Sequence, residues 1–281
     1  MIRLFAFGTL VALLGTPSPA SAQAAATPFV STDWLQQHLS DPNVRIVTTG
    51  DRGRYQQGHI PGARFLEHMD TVNMSNGHQP FAPDRMAAVL EKIGVTDGAH
   101  VVIYGESPMT NGWMYTAIGS TGHAADVSFL DGNFELWKSQ NRPVETATPA
   151  PASGTLTVRP ATDIVVDAKY VREHLNSPDV HILDVRTTNE WNNGHLPNAT
   201  FVLWQDLLAD QKMGTFKSPD DIKALFAKAG VKPGQQIVTY CAVGLRGSLM
   251  YFAARSVGLP ARVYLGSWQD WSKDPANPVV K

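Results

Sequence analysis

The stretch QIVTYCAVGLRGSLMYFAARSVG, residues 236–258, contains the one cysteine of the chain, Cys241. The five residues before this cysteine are rich in β-branched and aromatic side chains, which predicts a short buried strand. Residues 247–257 predict a helix with a mainly apolar face. Residues 241–246 would then form a loop between the end of a strand and the start of a helix, where α/β sheets bind their ligands.

The composition of this loop indicates chemistry at Cys241. Backbone N–H groups at the start of a helix carry partial positive charge. Gly244 permits a tight backbone turn, and Arg246 adds a permanent cation with a planar fork of donors. Such surroundings favour the thiolate form of a cysteine. A lone cysteine is more often buried and inert, but an inert thiol needs neither the glycine nor the arginine, so we interpret Cys241 as a nucleophile.

The motif YCAVGLRGS, residues 240–248, resembles the C-x-x-G-x-R active-site loop of the rhodanese sulfurtransferases. The resemblance implies that Cys241 is catalytic and carries sulfur as a persulfide. It further implies that the rest of the loop binds substrate, and these residues are Ala242, Val243, Gly244, Leu245 and Arg246. No cofactor and no metal are expected for this chemistry.

An internal repeat organises the chain. GHIPGA at residues 58–63 recurs as GHLPNA at residues 194–199, which separates His59 from His195 by 195 − 59 = 136 positions. Glycine, proline and tyrosine residues recur in the same register, so we predict two copies of one domain. Neither histidine has a second ligand at zinc spacing, and we predict that both belong to the framework.

Each copy alternates helix and strand signals, which predicts an α/β fold with a parallel sheet covered by helices. The rhodanese resemblance implies the same fold for both copies: two tandem domains, each a small parallel sheet with helices on both faces. We predict domains at residues 23–144 and 161–281. They are joined by a linker at residues 145–160, which is rich in Pro, Ala and Thr.

The first 22 residues predict a secretory signal peptide, with an apolar run after Arg3 and an Ala-Ser-Ala cleavage site before Gln23. An uncleaved anchor is the alternative, but the apolar run is short for a bilayer span. We therefore expect a periplasmic protein, with no membrane segment after cleavage. The chain is 43% hydrophobic and 17% charged with a net charge of −2, which gives no support for nucleic-acid binding.

The two copies differ at the positions that carry chemistry. Cys241 corresponds to Gly105, and Arg246 corresponds to Thr110, so the first domain is predicted to be catalytically silent. Three further charged residues of the second copy have other counterparts in the first. These are Asp184, Arg186 and Glu190, which correspond to Thr48, Gly50 and Arg54.

Arg186 matches an arginine that contacts substrate in two-domain rhodaneses, and the resemblance implies that role here. Asp184 and Glu190 are predicted to support the site by pairing with an arginine and holding it in place. The alternative is a cluster of surface ion pairs, which would contribute little.

The resulting prediction is a sulfurtransferase that moves sulfur from a donor such as thiosulfate to cyanide or a thiol, including a protein thiol. A 3-mercaptopyruvate sulfurtransferase and a non-enzymatic persulfide carrier remain as alternatives. A cysteine phosphatase is disfavoured because Cys241 and Arg246 form C-x4-R, one residue shorter than the phosphatase loop. A thiol–disulfide oxidoreductase would normally need a second, resolving cysteine.

Overall fold

The computed structural model describes residues 27–73, 79–149 and 153–281, so the predicted signal peptide lies outside the described residues. Within the described ranges, the chain forms two α/β domains, each with a five-stranded parallel sheet. The predicted fold of two tandem domains is therefore confirmed. In the same ranges, no helix has the length and apolar character needed to cross a membrane.

The first domain contains strands and helices in alternation, and its sheet has the order β1-β7-β6-β2-β3. Its elements are β1 (Phe29–Val30), α1 (Thr32–Gln37), β2 (Val44–Thr49), α2 (Arg52–Gln57), β3 (Arg64–Phe65), β4 (Val72–Asn73), β5 (Gln79–Pro80), α3 (Pro83–Lys92), β6 (His100–Gly105), α4 (Pro108–Gly119), β7 (Val127–Leu130) and α5 (Phe134–Ser139).

The second domain repeats this topology, with the order β10-β9-β13-β14-β8. Its elements are β8 (Val165–Val166), α6 (Ala168–His174), β9 (Val180–Asp184), α7 (Thr188–Asn192), β10 (Thr200–Phe201), β11 (Leu208–Asp210), β12 (Thr215–Phe216), α8 (Pro219–Lys228), β13 (Gln236–Tyr240), α9 (Leu245–Ser256), β14 (Ala261–Tyr264) and α10 (Ser267–Trp271). In each domain a small antiparallel hairpin, β4–β5 or β11–β12, stands outside the main sheet.

The strand before Cys241 forms as predicted, but the helix after it starts two residues early. Helix α9 begins at Leu245, because Gly244 has φ of +94° and completes the turn before the helix. Arg246 consequently lies in the first helical turn and not in the loop. Residues 247–254 are buried on every side of α9, not along one face only.

The two domains pack through α4 and α9, the helices that follow the central strands β6 and β13. At the crossing, a Cβ atom on Gly112 would lie only 2.4 Å from the backbone nitrogen of Leu249. Beside it, the Phe129 ring stacks on the Phe252 ring with centroids 3.6 Å apart. One apolar core therefore runs through both domains and supports the helix that carries the cysteine loop.

The segment predicted as a linker is fixed along part of its length. Glu145 forms an antiparallel bridge with His59 and so contributes to the first domain. Further on, Gly154 donates its N–H to the Glu91 carbonyl at 2.8 Å, and Leu156 is buried in the common core. These contacts hold the second half of the segment against the first domain.

Candidate active site

Cys241 lies directly after β13 and is 1% exposed. Its Sγ accepts a hydrogen bond from the Gly244 backbone N–H at 3.1 Å. A Cβ atom at position 244 would come within 2.9 Å of the Leu265 carbonyl oxygen, so both the conformation and the space require glycine. The sulfur thus faces a donor group at the start of a twelve-residue helix, where negative charge is stabilised.

The start of α10 holds the cysteine loop from the other side. The Cys241 N–H donates to Ser267 Oγ at 3.1 Å, and Trp268 N–H donates to the Cys241 carbonyl at 2.9 Å. Gln269 N–H donates to the Ala242 carbonyl at 3.0 Å. Sequence reasoning did not assign a role to Ser267. The sequence Gly-Ser-Trp at residues 266–268 was the available signal, but the hydrogen bond that Ser267 accepts from the loop depends on the fold.

Arg246 points from the first turn of α9 to Glu190, and both of its terminal nitrogens are engaged. The distances are 2.7 Å from Nη1 to Oε2 and 2.8 Å from Nη2 to Oε1. Glu190 is itself fixed, because it forms a capping box with Thr187 at the start of α7. The predicted pairing of Glu190 with an arginine is present in the structure. Thr187 was missed, although the T-x-x-E spacing is a known signal of a capping box.

The ion pair shifts the ionisation of both partners. The hydrogen bond from Arg246 lowers the pKa of Glu190 from its ordinary 4.5 to about 2. The hydrogen bonds that Arg246 donates to Glu190, and the nearby Cys241 side chain, raise the pKa of Arg246. Both groups are therefore charged at neutral pH, and the positive charge of Arg246 is largely compensated by Glu190.

Arg186 is buried beneath the loop and is 2% exposed. Its Nε and Nη2 donate to the carboxylate of Asp184, and Nη2 also donates to the Gly194 carbonyl at 2.6 Å. Its guanidinium carbon lies 4.6 Å from the centre of the Trp268 ring. Burial alone would lower the pKa of Arg186, but the bonds to Asp184 raise it above its ordinary value. This position fits a framework role for Arg186 better than the predicted contact with substrate.

The remaining predicted loop residues divide into an accessible and a buried set. Gly244 is buried with Cys241, whereas three neighbours are half-buried and form the outer side of the loop: Ala242, Val243 and Leu245. With Arg246, which is 16% exposed, they are the side chains of residues 241–246 that solvent reaches. The structure therefore brings Cys241, the loop backbone and the Arg246–Glu190 pair into one site.

The first domain has no room for a second nucleophile. A Cβ atom on Gly105, the counterpart of Cys241, would lie 2.5 Å from Thr49 Oγ1 and 2.6 Å from Asn111 Oδ1. Thr49 Oγ1 is also 3.0 Å from Thr110 Oγ1, so hydroxyl and amide groups fill the space of the cysteine side chain. The lack of catalytic activity predicted for this domain therefore has a steric reason in addition to the missing thiol.

The two histidines of the repeated turns have equivalent surroundings. In each case Nδ1 bonds the carbonyl oxygen four residues earlier, that of Tyr55 for His59 and that of Trp191 for His195. Each imidazole also stacks on the ring of that same residue, at 3.9 and 3.5 Å between centroids. These contacts fit the predicted framework role. Among the described residues, no group of three or more His, Cys, Asp and Glu side chains is arranged to hold a metal ion.

A model of the rhodanese-like domain matches the chain twice, at residues 31–140 and 167–274. Together with the paired sheets and the cysteine loop, this match defines the class: a tandem α/β protein with one cysteine-bearing domain. The chain belongs to the rhodanese-like family.

Curated relatives align over nearly the whole chain. The sulfur carrier protein TtuD of Thermus thermophilus is 29% identical over 280 residues, covering 90% of this chain and 96% of the relative. The thiosulfate sulfurtransferase of Azotobacter vinelandii is 27% identical, covering 87% and 94%. The 3-mercaptopyruvate sulfurtransferase of Escherichia coli K12 is 25% identical, covering 91% and 98%.

Solved structures share the fold. SseA from Escherichia coli, described as a 3-mercaptopyruvate sulfotransferase, superposes with a TM-score of 0.77 at 24% identity, covering 86% of this chain and 99% of that one. A variant of EanB in complex with ergothioneine superposes with a TM-score of 0.80 at 22% identity, covering 90% and 69%.

Proposed function

We propose that the protein is a sulfurtransferase that carries sulfane sulfur on Cys241. The observation that carries the proposal is the hydrogen bond from the Gly244 N–H to Cys241 Sγ at the start of α9. A donor in that position stabilises negative charge on the sulfur, both in the thiolate and in the persulfide. The names of the relatives support the same reaction class.

The reaction has two half-reactions. The Cys241 thiolate attacks the outer sulfur of thiosulfate, the S–S bond of the donor breaks, and sulfite leaves with the electron pair. With 3-mercaptopyruvate the C–S bond breaks instead, and the electrons remain on the enolate of pyruvate, which is then protonated. An acceptor such as cyanide or a thiolate next attacks the outer sulfur of the persulfide and restores the Cys241 thiolate. The covalent intermediate predicts ping-pong kinetics.

The choice of donor rests on the charge around Cys241. An unpaired Arg246 would favour the thiosulfate dianion, which is the donor that the sequence suggested. Because Glu190 binds both terminal nitrogens of Arg246, this preference is weaker than the sequence implied. We therefore keep thiosulfate, a sulfane-sulfur compound, as the preferred sulfur donor and 3-mercaptopyruvate as the alternative donor.

The test is the intact mass of the mature protein after separate exposure to thiosulfate and to 3-mercaptopyruvate, with Cys241→Ser as the control. A gain of one sulfur atom that requires Cys241 is expected with at least one donor. The absence of any gain with both donors would contradict the proposal, and an aryl phosphate assay would then test the phosphatase alternative.

A sulfur carrier is the second candidate function. It is favoured by the relative named as a sulfur carrier protein. A carrier would gain sulfur in the mass experiment but would not turn over with a small acceptor. Steady-state formation of thiocyanate from cyanide distinguishes the two, because an enzyme gives many turnovers and a carrier gives one.

We also propose that the protein is exported and works in the periplasm after removal of residues 1–22. The support is the sequence of the N-terminus. Fractionation of expressing cells, followed by N-terminal sequencing, is expected to give a periplasmic protein that starts at Gln23. A cytoplasmic protein that retains Met1 would contradict export.

A further inference from the structure

The first domain contains a cavity of about 640 Å³ at the carboxyl end of its sheet. Its position is equivalent to the space beneath the cysteine loop in the second domain. The strand registers establish the equivalence, because Thr48 pairs with Tyr104 as Asp184 pairs with Tyr240.

The cavity results from two differences between the copies. In the second domain, the space is filled by the guanidinium of Arg186, which lies 4.6 Å from the Trp268 ring centre. The first domain has Gly50 and Phe134 at these positions. A Cβ on Gly58 would lie 3.5 Å from Phe134, as a Cβ on Gly194 would lie 3.1 Å from Trp268, so the aromatic rings are equivalent in space. The smaller ring, together with the loss of the arginine, leaves space for a ligand beside the Glu106 side chain, which packs over Gly50.

The inner lining offers hydrogen-bonding groups and aromatic surface. Tyr55 and Phe134 contribute rings, and Thr48 contributes a hydroxyl. His59 also lines the cavity and is 1% exposed. Its Nδ1 bonds the Tyr55 carbonyl, whereas its Nε2 has no hydrogen-bond partner among the described residues. Because Nε2 is itself buried, a ligand in the cavity does not reach it, and His59 serves as part of the cavity wall.

The outer lining contains charged side chains, of which one cation is not paired. Arg54 pairs with Glu106 at 3.2 Å, and Lys138 pairs with Glu135 at 2.8 Å. Lys212 has no ion pair with any described residue, and it comes from the β11–β12 hairpin of the second domain. Asn133 fixes that hairpin, because its Nδ2 donates to the Lys212 carbonyl at 2.8 Å. Asp51 also lines the cavity, and its carboxylate accepts the Arg54 N–H at 2.8 Å as the N-cap of α2. Among the charged groups of the lining, Lys212 is the cation without an ion pair to a described residue, and it can meet an anion.

We propose that this cavity is a second binding site, separate from Cys241, for a small organic acid with a flat apolar body. The body lies against Phe134 and Tyr55, the acid group reaches Lys212, and a polar atom at the far end meets Thr48. Because the site lies between the first domain and a hairpin of the second, its occupation would also stabilise the contact between the domains. The site goes beyond the proposed sulfur transfer and does not depend on it.

The test uses three probes with one body and three charges: 3-(4-hydroxyphenyl)propanoate, its primary amide, and tyramine. Calorimetry on the mature protein is expected to show the acid binding most tightly. Lys212→Gln should weaken binding of the acid about three- to five-fold, as expected for the loss of one exposed charge. Lys212→Glu should weaken binding of the acid further and strengthen binding of tyramine. Lys223→Gln, an exposed lysine of α8 away from the cavity, is the matched control and should not change affinity.

Two more variants test the location of the site. Val144 lines the cavity with a side chain that is 47% exposed, so Val144→Trp should fill the space and abolish binding without unfolding the domain. Cys241→Ser should bind the acid normally, and Lys212→Gln should retain full sulfur transfer. The proposal is overturned if the acid does not bind at millimolar concentration, if the amide or tyramine binds as tightly, or if Val144→Trp binds as the wild type does.

Discussion

The two arginines near Cys241 belong to the same domain but have different environments. Arg186 is buried and held by Asp184, while Arg246 remains partly accessible and is held by Glu190. The sequence predicted these four charged residues as a group. Their pairing, and the depth of each pair, could not be read from spacing, because Arg246 and Glu190 are 56 positions apart.

Arg186→Lys tests the framework role. A lysine cannot reproduce the planar fork that binds Asp184 and Gly194, and the buried carboxylate would lose hydrogen bonds. We expect the free energy of unfolding to fall by about 2–4 kcal/mol, with an unchanged KM for the sulfur donor. Urea unfolding and steady-state kinetics are the measurements, and Arg172→Lys, an exposed arginine, is the control. Unchanged stability with a raised KM would instead show that Arg186 contacts substrate.

Glu190→Gln tests the charge of the Arg246 pair while a glutamine can still serve the capping box. We expect a loss of about 1–2 kcal/mol in the free energy of unfolding at pH 7. Since the folded pKa of Glu190 is lowered to about 2, its contribution is present above pH 4.5 and is lost as the pH falls towards 2. The wild type and the variant should therefore converge over that window.

Urea unfolding of both proteins at several pH values measures this difference. The exposed pair of Glu173 with Lys169 supplies the control, because Glu173→Gln should leave the free energy of unfolding nearly unchanged at any pH. A difference for Glu190→Gln that is constant from pH 7 to pH 2 would show that the carboxylate charge does not contribute.

At the scale of the element, one strand–loop–helix unit occurs once in each domain. It holds a cysteine in the second domain, and the equivalent space is filled by other side chains in the first. After β13, the chain turns through Gly244 and gives the sulfur of Cys241 a backbone donor. After β6, the equivalent space is filled by Thr49, Thr110 and Asn111. The sequence indicated where each unit lies and which one carries the cysteine. It did not indicate that the other unit is sterically closed, because Thr49 comes from a neighbouring strand.

Gly105→Cys in a Cys241→Ser background tests this closure. The new side chain would overlap with Thr49 and Asn111, so we expect no sulfur gain in the intact mass after exposure to the donor. Overpacking of this kind should lower the free energy of unfolding by about 1–3 kcal/mol. Gly105→Ala is the matched control without a thiol and should be destabilised to a similar extent. A gain of one sulfur atom would show that the loop of the first domain can still hold a reactive cysteine.

At the scale of the whole molecule, the two domains share one core through α4 and α9. Because the cysteine loop leads directly into α9, the first domain supports the site without contributing a nucleophile. The close approach at Gly112 sets the distance between the helices. The ring of Phe129 in β7 stacks on the ring of Phe252 in α9 and adds to the contact between the domains.

Gly112→Ala tests this packing. Alanine is the better helix former, yet its Cβ would lie 2.4 Å from the Leu249 nitrogen and force the helices apart. We expect a net loss of about 1–3 kcal/mol in the free energy of unfolding, together with a lower kcat. The control is Gly98→Ala, where a Cβ meets no atom within 4 Å and stability should stay the same or rise. Equal stability of Gly112→Ala and wild type would contradict a tight crossing.

The sequence by itself determined the two-domain α/β fold, the strand before Cys241 and the cysteine loop. These features follow from local patterns: β-branched runs, a glycine turn, and a repeat with a constant register. The tertiary structure alone decided the burial of Arg186, the Arg246–Glu190 pair and the cavity beside Phe134. Each of these depends on side chains from different strands and helices meeting at one end of a sheet, and packing sets those distances, not position along the chain.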